Sequence, residues 1–247
     1  IFLNISPDHI SPIEHETFEE YFLCKQELLL HSKKMVMNHE SDHFEVLENL
    51  CQINHIPYLT CGGSAADYPV IAMDDPRTFE LKSSTDPLAI NGDYALTMFG
   101  HFNHENAAAA LLATAWLETP RNHMKESLSK CVIPGRMTLF DLPNGALAFV
   151  DFAHNYLSLL SMGQLAKEIR PHGRAIVMTG SAGGKALSRR KDMGLAITQI
   201  YDVAILTSDD PNFENPNAIA DEIQQAIENP EVAVYREMDR EQAIYLA

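Results

Sequence analysis

A histidine and a lysine near the start of the chain have side chains that could share a metal-phosphate site. His9 follows Asp8, shortly after the apolar run 1–3, and Lys25 comes sixteen positions after the histidine. A histidine at the end of a strand can offer a neutral ring nitrogen to a metal ion. A lysine in the first or second turn of the next helix could point back to the same place. Because an ammonium group repels a cation, such a lysine would serve as a counter-charge to phosphate or as an amine converted to an anion.

Four further polar segments come where strands of an α/β sheet would end, and active sites of such sheets usually lie at that edge. They are Pro134-Gly135-Arg136 and the segments 151–155, 179–185 and 207–212. Taken singly, each has an ordinary interpretation, because Asp, Asn and Pro favour turns for local reasons. The glycine-rich segment 179–185 could cradle a phosphate or carboxylate with backbone N–H groups, but its glycine spacing is not that of a P-loop.

Composition limits the classes of function. The 247 residues suffice for one large or two ordinary domains, and 46% hydrophobic with 21% charged residues is typical of a soluble globular protein. No apolar run reaches the roughly 18 residues that a membrane span needs, and the first residues do not resemble a signal peptide. The net charge of -16 argues against nucleic acid as a partner. It permits an anionic substrate, since a divalent cation and local basic groups can reverse the sign of a cleft.

The four cysteines have no spacing typical of a zinc site or a redox motif. We therefore expect reduced thiols and a cytoplasmic protein.

The N-terminal half is predicted to alternate short strands with helices. Apolar residues fall at helical spacing in the stretch Asp42–Ile53. An asparagine-capped helix is expected to begin at Asn103, because four alanines and two leucines follow Asn106. The predicted strands are Lys33–Met37, Tyr58–Cys61, Tyr68–Asp75, Thr78–Lys82 and Asp93–Phe99.

A helix over Asn122–Lys130 leads to the pair Pro134-Gly135, which is the best candidate for a domain boundary. Beyond it, strands alternate with helices of 10 to 15 residues, and this pattern predicts a mostly parallel sheet covered on both faces. The predicted strands are Met137–Asp141, Ala146–Asp151, Ala175–Thr179 and Asp202–Thr207, and the predicted helices are Tyr156–Ile169, Arg189–Tyr201, Ala218–Glu228 and Glu241–Ala247. Because the chain opens within a predicted strand and ends within a predicted helix, we expect it to be a fragment.

Taken in chain order, these segments resemble the Mur ligases of peptidoglycan synthesis, most closely the MurE type. Enzymes of that type add the third amino acid to UDP-N-acetylmuramoyl-L-alanyl-D-glutamate. The resemblance extends over essentially the whole chain. It implies an α/β fold, with the C-terminal part of a central ATPase domain at residues 1–133 and a Rossmann-like C-terminal domain, incomplete at its end, at residues 134–247.

The resemblance implies a magnesium site and a nucleotide site. His9 matches a magnesium ligand, and Lys25 matches a lysine that family members carry as a carbamate, which would supply the oxygen that magnesium prefers.

For the nucleotide, Asn106 matches the asparagine that meets the adenine, and an amide can donate and accept at a purine edge. Arg136 matches an arginine that contacts the phosphate or ribose of ATP. Asp151 matches the carboxylate that binds ribose hydroxyls, with His154 and Asn155 beside it.

The segment Asp209-Asp210-Pro211-Asn212 falls where MurE enzymes recognise their amino acid. The diaminopimelate-adding type carries Asp-Asn-Pro-Arg there, and its arginine pairs with the extra carboxylate. Here Asn212 replaces that arginine and Asp210 adds an acid, so the resemblance implies L-lysine, with ornithine as an alternative. Arg189 is taken as the group that binds the α-carboxylate of the amino acid, and Arg190 and Lys191 remain alternatives.

Other parts of the family's pattern do not occur in these 247 residues. These are the phosphate loop Gly-x-x-Gly-Lys-Thr, the second magnesium ligand, the UDP-binding domain and a late Gly-Lys-Gly-His-Glu-like segment. We therefore expect the chain alone to be inactive, and the parent protein to be a monomeric, ATP- and Mg²⁺-dependent ligase acting on the UDP-linked dipeptide and L-lysine.

Three alternatives stay open. The chain could come from another Mur-like amide ligase, of the folylpolyglutamate or lipid II-modifying type. It could be a non-catalytic nucleotide-binding module, or a generic α/β domain whose motifs coincide by chance.

Overall fold

The computed structural model describes residues 1–7, 10–11, 14–185 and 187–247. The chain divides into two compact units, one of Ile1–Ser6 and Phe22–Phe152, the other of Pro7–Tyr21 and Ala153–Ala247. The predicted domain limits at 133 and 134 stay a prediction. Among the described residues, every helix is too short or too polar to cross a bilayer.

The first unit contains a five-stranded sheet, three helices that follow its strands, and a separate hairpin. Helix α1 begins in residues grouped with the second unit and ends in the first. The elements in chain order are α1 (Phe18–Leu30), β1 (Met35–Asn38), α2 (Phe44–Ile53), β2 (Tyr58–Gly62), β3 (Tyr68–Ala72), β4 (Thr78–Leu81), β5 (Gly92–Ala95), α3 (His101–Ala115), α4 (Arg121–Lys130), β6 (Thr138–Asp141) and β7 (Leu147–Val150).

The sheet of this unit has strand order β1-β2-β3-β4-β5. β1, β2 and β3 are parallel, with α2 as the connection from β1 to β2, whereas β3, β4 and β5 form an antiparallel meander. The apolar run at the chain start is not a full strand, because it contributes a single parallel bridge from Phe2 to Met37. β3 and β5 end three and four residues earlier than predicted.

The core of this unit lies between the sheet and α3. Ala107, Ala108 and Ala109 are buried on α3, and their small side chains allow the helix to approach the sheet closely. They pack in one cluster with large side chains of the strands, including Tyr68 and Phe79. The buried Tyr68 hydroxyl is hydrogen-bonded on both sides: it donates to Asp86 Oδ1 at 3.1 Å and accepts from the Leu88 N–H at 2.9 Å.

β6 and β7 are not part of the mostly parallel sheet that was predicted after Pro134. They pair antiparallel with each other in a two-stranded sheet of their own. The connection 142–146 is only five residues long, and parallel strands need a crossover of a dozen or more residues. The hairpin contacts another segment of the first unit, where the rings of Phe99 and Phe149 meet edge to face at 6.4 Å.

The second unit confirms the predicted alternation of strands and helices. Its elements are α5 (Tyr156–Ile169), β8 (Ile176–Thr179), α6 (Ser188–Ile200), β9 (Val203–Leu206), α7 (Pro216–Gln225), β10 (Ala233–Arg236) and α8 (Arg240–Leu246). The strands form a parallel sheet in the order β10-β9-β8. β10 was not predicted, and α7 begins two residues earlier than expected because Asn215 caps it through the Asn217 N–H at 2.9 Å, with Pro216 in its first turn.

α6 and α7 approach closely where α6 carries Gly194. A Cβ at Gly194 would lie 2.5 Å from the carbonyl oxygen of Ile223 and 2.6 Å from the Cβ of Ala226. Both atoms belong to the end of α7 or the residue after it, so neither can rotate away as a flexible side-chain tip could.

Gly194→Ala should therefore destabilise the protein despite the better helix propensity of alanine. Alanine gains about 1 kcal/mol in a helix interior relative to glycine. Overpacking typically costs 1–3 kcal/mol, and contact with backbone at this distance belongs at the upper end, so we expect a net loss of about 1–2 kcal/mol. Urea unfolding measures this difference, with Lys191→Ala, an exposed position on the same helix, as the control that should change stability by less than about 0.5 kcal/mol. Equal or higher stability of Gly194→Ala would contradict the close packing.

Candidate functional site

The open end of the β6–β7 hairpin brings Arg136 and Asp151 together. Thr138 pairs with Val150, so Met137 lies opposite Asp151, and the Met137 N–H donates to Asp151 Oδ2 at 2.9 Å. Before the hairpin the backbone turns sharply, since the Arg136 N–H donates to the Ile133 carbonyl at 3.0 Å. The residues Pro134-Gly135-Arg136 and Asp151 thus form one local structure, because β6 and β7 are antiparallel and the start of one strand lies beside the end of the other.

Arg136 also lies over an aromatic ring beside this carboxylate. Its guanidinium carbon is 4.6 Å from the centroid of the Phe152 ring, and the arginine and the phenylalanine are both exposed. A cation–π contact at such an exposed site contributes about 0.5–1 kcal/mol. The hairpin end therefore places an exposed cation and an exposed aromatic ring beside a half-buried carboxylate, a combination that suits a nucleotide with its phosphates, base and ribose hydroxyls.

The start of α3 differs from the expected asparagine cap. The helix begins at His101, and Gly100 is the N-cap residue without a side-chain cap bond. Asn103 lies inside the helix, buried, and its amide donates to the Phe99 carbonyl at 2.7 Å, which ties the first turn to the preceding loop. Asn106 is exposed one turn further along, with its Nδ2 3.5 Å from Asn103 Oδ1. Of the two asparagines, Asn106 is the one whose amide can meet a ligand.

A polar cluster beside α3 was missed by the sequence analysis. Asn38, buried at the carboxyl end of β1, donates to Glu105 Oε2 at 3.0 Å, and His101 Nδ1 lies 3.5 Å from Glu105 Oε1. The hydrogen bond to Glu105 raises the pKa of His101 above its ordinary value. A polar residue that ends a fully buried four-residue strand was the signal that could have identified Asn38.

Of the two predicted metal ligands, the structure describes only Lys25. His9 lies outside the described residues. Lys25 is an exposed residue of α1. Among the described residues, no group of three or more His, Cys, Asp and Glu side chains is arranged to hold a metal ion.

In the second unit, the glycine-rich loop after β8 packs backbone to backbone against the loop after β9. The Gly183 N–H donates to the Asp210 carbonyl at 2.8 Å, and a Cβ at Gly183 would lie 2.0 Å from the Pro211 carbonyl oxygen. The Gly184 N–H donates to Glu214 Oε1 at 2.5 Å. These two N–H groups are therefore engaged with the protein and cannot also cradle a phosphate or carboxylate.

The acidic loop itself presents two unequal carboxylates. Asp209 Oδ1 lies 3.6 Å from Arg240 Nη1. Asp210 is exposed and makes no ion pair with any described residue. Asn212 is exposed with φ at 50°, a left-handed conformation that asparagine tolerates better than most residues, and Phe213 beside it is 99% exposed. The loop thus shows solvent a net negative charge next to a bare aromatic ring.

The three basic residues at the start of α6 differ in burial. Arg190 is buried, and its guanidinium is bound by Glu214 and Glu222. It therefore cannot also hold a substrate carboxylate. Arg189 is half-buried and Lys191 is exposed, so these two remain candidates for that role.

Asn155 is the N-cap residue of α5, and His154 precedes it. The Asn155 side chain caps α5 by accepting from the Ser158 N–H at 3.0 Å, and Ser158 Oγ accepts from the Asn155 and His154 N–H groups, each at 3.1 Å. The amide oxygen of Asn155 is thus used by the helix cap. Any contact of Asn155 with a nucleotide falls to its NH2 group.

Two protein families match the chain in succession. Residues 1–114 match the Mur ligase middle domain, and residues 135–247 match the family described as Mur ligase, glutamate ligase domain. The chain is 43% identical to the UDP-N-acetylmuramoyl-L-alanyl-D-glutamate--L-lysine ligase of Enterococcus faecalis, over 99% of the chain and 49% of that protein. It is 41% identical to the ligase of the same name from Streptococcus pneumoniae serotype 4, over 100% of the chain and 49% of that protein.

A solved structure gives the same picture. The structure of UDP-N-acetylmuramoyl-L-alanyl-D-glutamate--2,6-diaminopimelate ligase aligns with a TM-score of 0.55 and 26% identity, over 100% of this chain and 52% of that one. The chain spans about half the length of the curated relatives it matches.

Proposed function

Because the chain belongs to the Mur ligase family, we propose that it forms part of an ATP-dependent ligase that adds L-lysine to UDP-N-acetylmuramoyl-L-alanyl-D-glutamate. The observation that carries this proposal is the acidic loop Asp209-Asp210-Pro211-Asn212, in a chain whose relatives at 41% and 43% identity are named as L-lysine ligases. An acidic loop without an arginine favours an amino acid whose side chain ends in an ammonium group.

ATP would be held at the end of the β6–β7 hairpin and at α3. Arg136 would contact a phosphate or the ribose, and Asp151, whose carboxylate is oriented by the Met137 N–H, would bind the ribose hydroxyls. Asn106 would meet the adenine with its exposed amide. His154 and the NH2 group of Asn155 complete the proposed set. The cation, aromatic ring and carboxylate at the hairpin end support this assignment.

Magnesium would be held by His9 and by a carbamate on Lys25. When bound, the ion would neutralise charge on the transferring phosphate oxygens. Lys25 lies at an exposed position of α1.

L-lysine would be held in the second unit. Its ε-ammonium group would meet the acidic loop, where Asp210 has no ion pair with any described residue and Asp209 already has Arg240 as a partner. Its α-carboxylate would be held by Arg189, with Lys191 as the alternative.

The reaction would proceed in two steps on the substrates. The D-glutamate γ-carboxylate takes the γ-phosphoryl group of ATP, which yields ADP and an acyl phosphate. The α-amine of lysine then attacks the acyl carbon, and the tetrahedral intermediate releases phosphate and leaves an amide. The task of the protein's residues is to orient the amine and the acyl group and to exclude water from the acyl phosphate.

We place this reaction in the cytoplasm and assign no nucleic acid or membrane partner to the enzyme, which we propose to be a monomer. Four free cysteines support the cytoplasmic assignment, and a net charge of -16 supports the absence of a nucleic acid partner.

The full-length protein should release phosphate from ATP in the presence of the UDP-linked dipeptide and L-lysine. Ornithine should be a weaker substrate, because its ammonium group is one methylene shorter, and one methylene changes specificity by about 10–200-fold at most. Diaminopimelate should be far weaker, since its second carboxylate would face Asp209 and Asp210. Phosphate release with each amino acid separately measures this order, and a preference for diaminopimelate would refute the proposal.

A further inference from the structure

Glu214 connects three parts of the second unit through one carboxylate oxygen. It follows the acidic loop directly, two residues after Asn212. Its Oε1 accepts from the Gly184 N–H at 2.5 Å and from Arg190 Nη2 at 2.7 Å. The acidic loop is therefore fastened both to the glycine-rich loop and to α6.

Arg190 is the fixed end of this connection. Its side chain is 2% exposed, and its Nη1 donates to both oxygens of Glu222 on α7 at 3.1 Å each. The guanidinium fork is thus shared between Glu222 and Glu214, one carboxylate per nitrogen. A buried arginine held in two directions has little freedom to follow a moving loop, so it anchors Glu214 rather than adapting to it.

The backbone contacts next to Glu214 extend the fastening into the acidic loop. The Asp210 carbonyl accepts from the Gly183 N–H, and the Glu214 N–H donates to the Pro211 carbonyl at 2.9 Å. The exposed side chains of Asp210 and Asn212 therefore lie on a short segment whose backbone is held on both sides. No hydrogen bond from Glu222 reaches this segment within the described part of the chain.

We propose that Arg190 and Glu214 are positioning residues for the amino acid substrate, holding Asp209–Asn212 in the conformation that meets its side chain. Neither residue needs to touch the substrate. This inference rests on the proposed function, since it assigns the acidic loop to amino acid recognition.

Glu214→Gln tests the inference, with Glu222→Gln as the matched control. Each variant removes one negative charge from the same buried guanidinium. Only Glu214→Gln also weakens the link to Gly184 and the acidic loop, because a neutral amide oxygen accepts the two hydrogen bonds less strongly than the charged oxygen that it replaces. We expect the KM for L-lysine to rise about tenfold in Glu214→Gln, with the KM for ATP and kcat changed less than about twofold, and all three constants near wild type in Glu222→Gln.

Amide hydrogen exchange on the full-length protein provides a readout that does not depend on activity. The amides of Gly184, Asp209, Asp210 and residues 212–214 should exchange faster in Glu214→Gln and at the wild-type rate in Glu222→Gln. Equal rises in the KM for lysine in both variants, or an unchanged KM in Glu214→Gln, would overturn the inference. So would exchange at the wild-type rate in Glu214→Gln. A wild-type enzyme that does not use lysine at all would refute the proposed function instead, which separates the two failures.

Discussion

Lys25→Ala should reduce the turnover of the full-length ligase at least about 100-fold, the upper range of the loss seen when groups supporting a metal site are removed. The reason is the proposed carbamate, since alanine offers no oxygen in its place. Lys25 is exposed on α1, so its replacement should change stability by less than about 0.5 kcal/mol, and the loss would report on chemistry rather than folding. Initial rates of phosphate release with saturating L-lysine measure the effect.

Two controls sharpen this result. Lys33→Ala removes another exposed lysine and should leave the rate unchanged. Formate or acetate added to Lys25→Ala should restore part of the activity, because a small carboxylate can take the place of the missing carbamate. A wild-type rate in Lys25→Ala would remove this residue from the proposed metal site.

Asn212→Arg should lower kcat/KM for L-lysine about 10- to 100-fold, which corresponds to roughly 1.4–2.8 kcal/mol. The new guanidinium would stand on the acidic loop and repel the ammonium group of lysine, while its exposure lets solvent and salt screen part of that repulsion. The same charge should raise the use of diaminopimelate, whose second carboxylate it can pair with. Steady-state kinetics with both amino acids measure the change.

Asn212→Gln is the matched control for this substitution. The backbone at this position has φ at 50°, so any longer side chain adds strain of about 1 kcal/mol. Glutamine adds the strain and the length without the charge, and should lower lysine use only slightly. Unchanged lysine kinetics in Asn212→Arg, or an equal loss in Asn212→Gln, would take the charge at this position out of the specificity site.

The fold class was predictable because its signals are local. The predicted Mur ligase fold class is confirmed by the family matches, which excludes the generic α/β domain. Helical spacing of apolar residues located α2, α5 and α6 within a few residues. The errors came where the pairing of a strand depends on its neighbour in space. Periodicity predicted the strands β6 and β7 but could not show that they pair with each other. β10 was missed because it has only four residues, although Val234 and Tyr235 favour strands and it pairs with β9 along its whole length.

The candidate site was predictable in outline and not in its supporting contacts. Motif positions were enough to single out Arg136 and Asp151, which the hairpin places side by side. No sequence pattern distinguished Arg189 from Arg190, whereas burial and two acidic partners remove Arg190 from the candidates. The role of Glu214 could not be predicted either, because its contacts with Gly184 and Arg190 join residues 30 and 24 positions apart in the sequence.

The most direct measurement is the identity of the product formed in competition. The full-length protein would be given the UDP-linked dipeptide, ATP, Mg²⁺ and equal concentrations of L-lysine, ornithine and diaminopimelate, and the nucleotide-linked product would be analysed by mass spectrometry. We predict a tripeptide carrying lysine as the dominant product, formed with one ADP and one phosphate for each amide. A diaminopimelate product would contradict the assignment of the acidic loop, and the absence of any product would leave the chain as a nucleotide-binding module rather than part of a ligase.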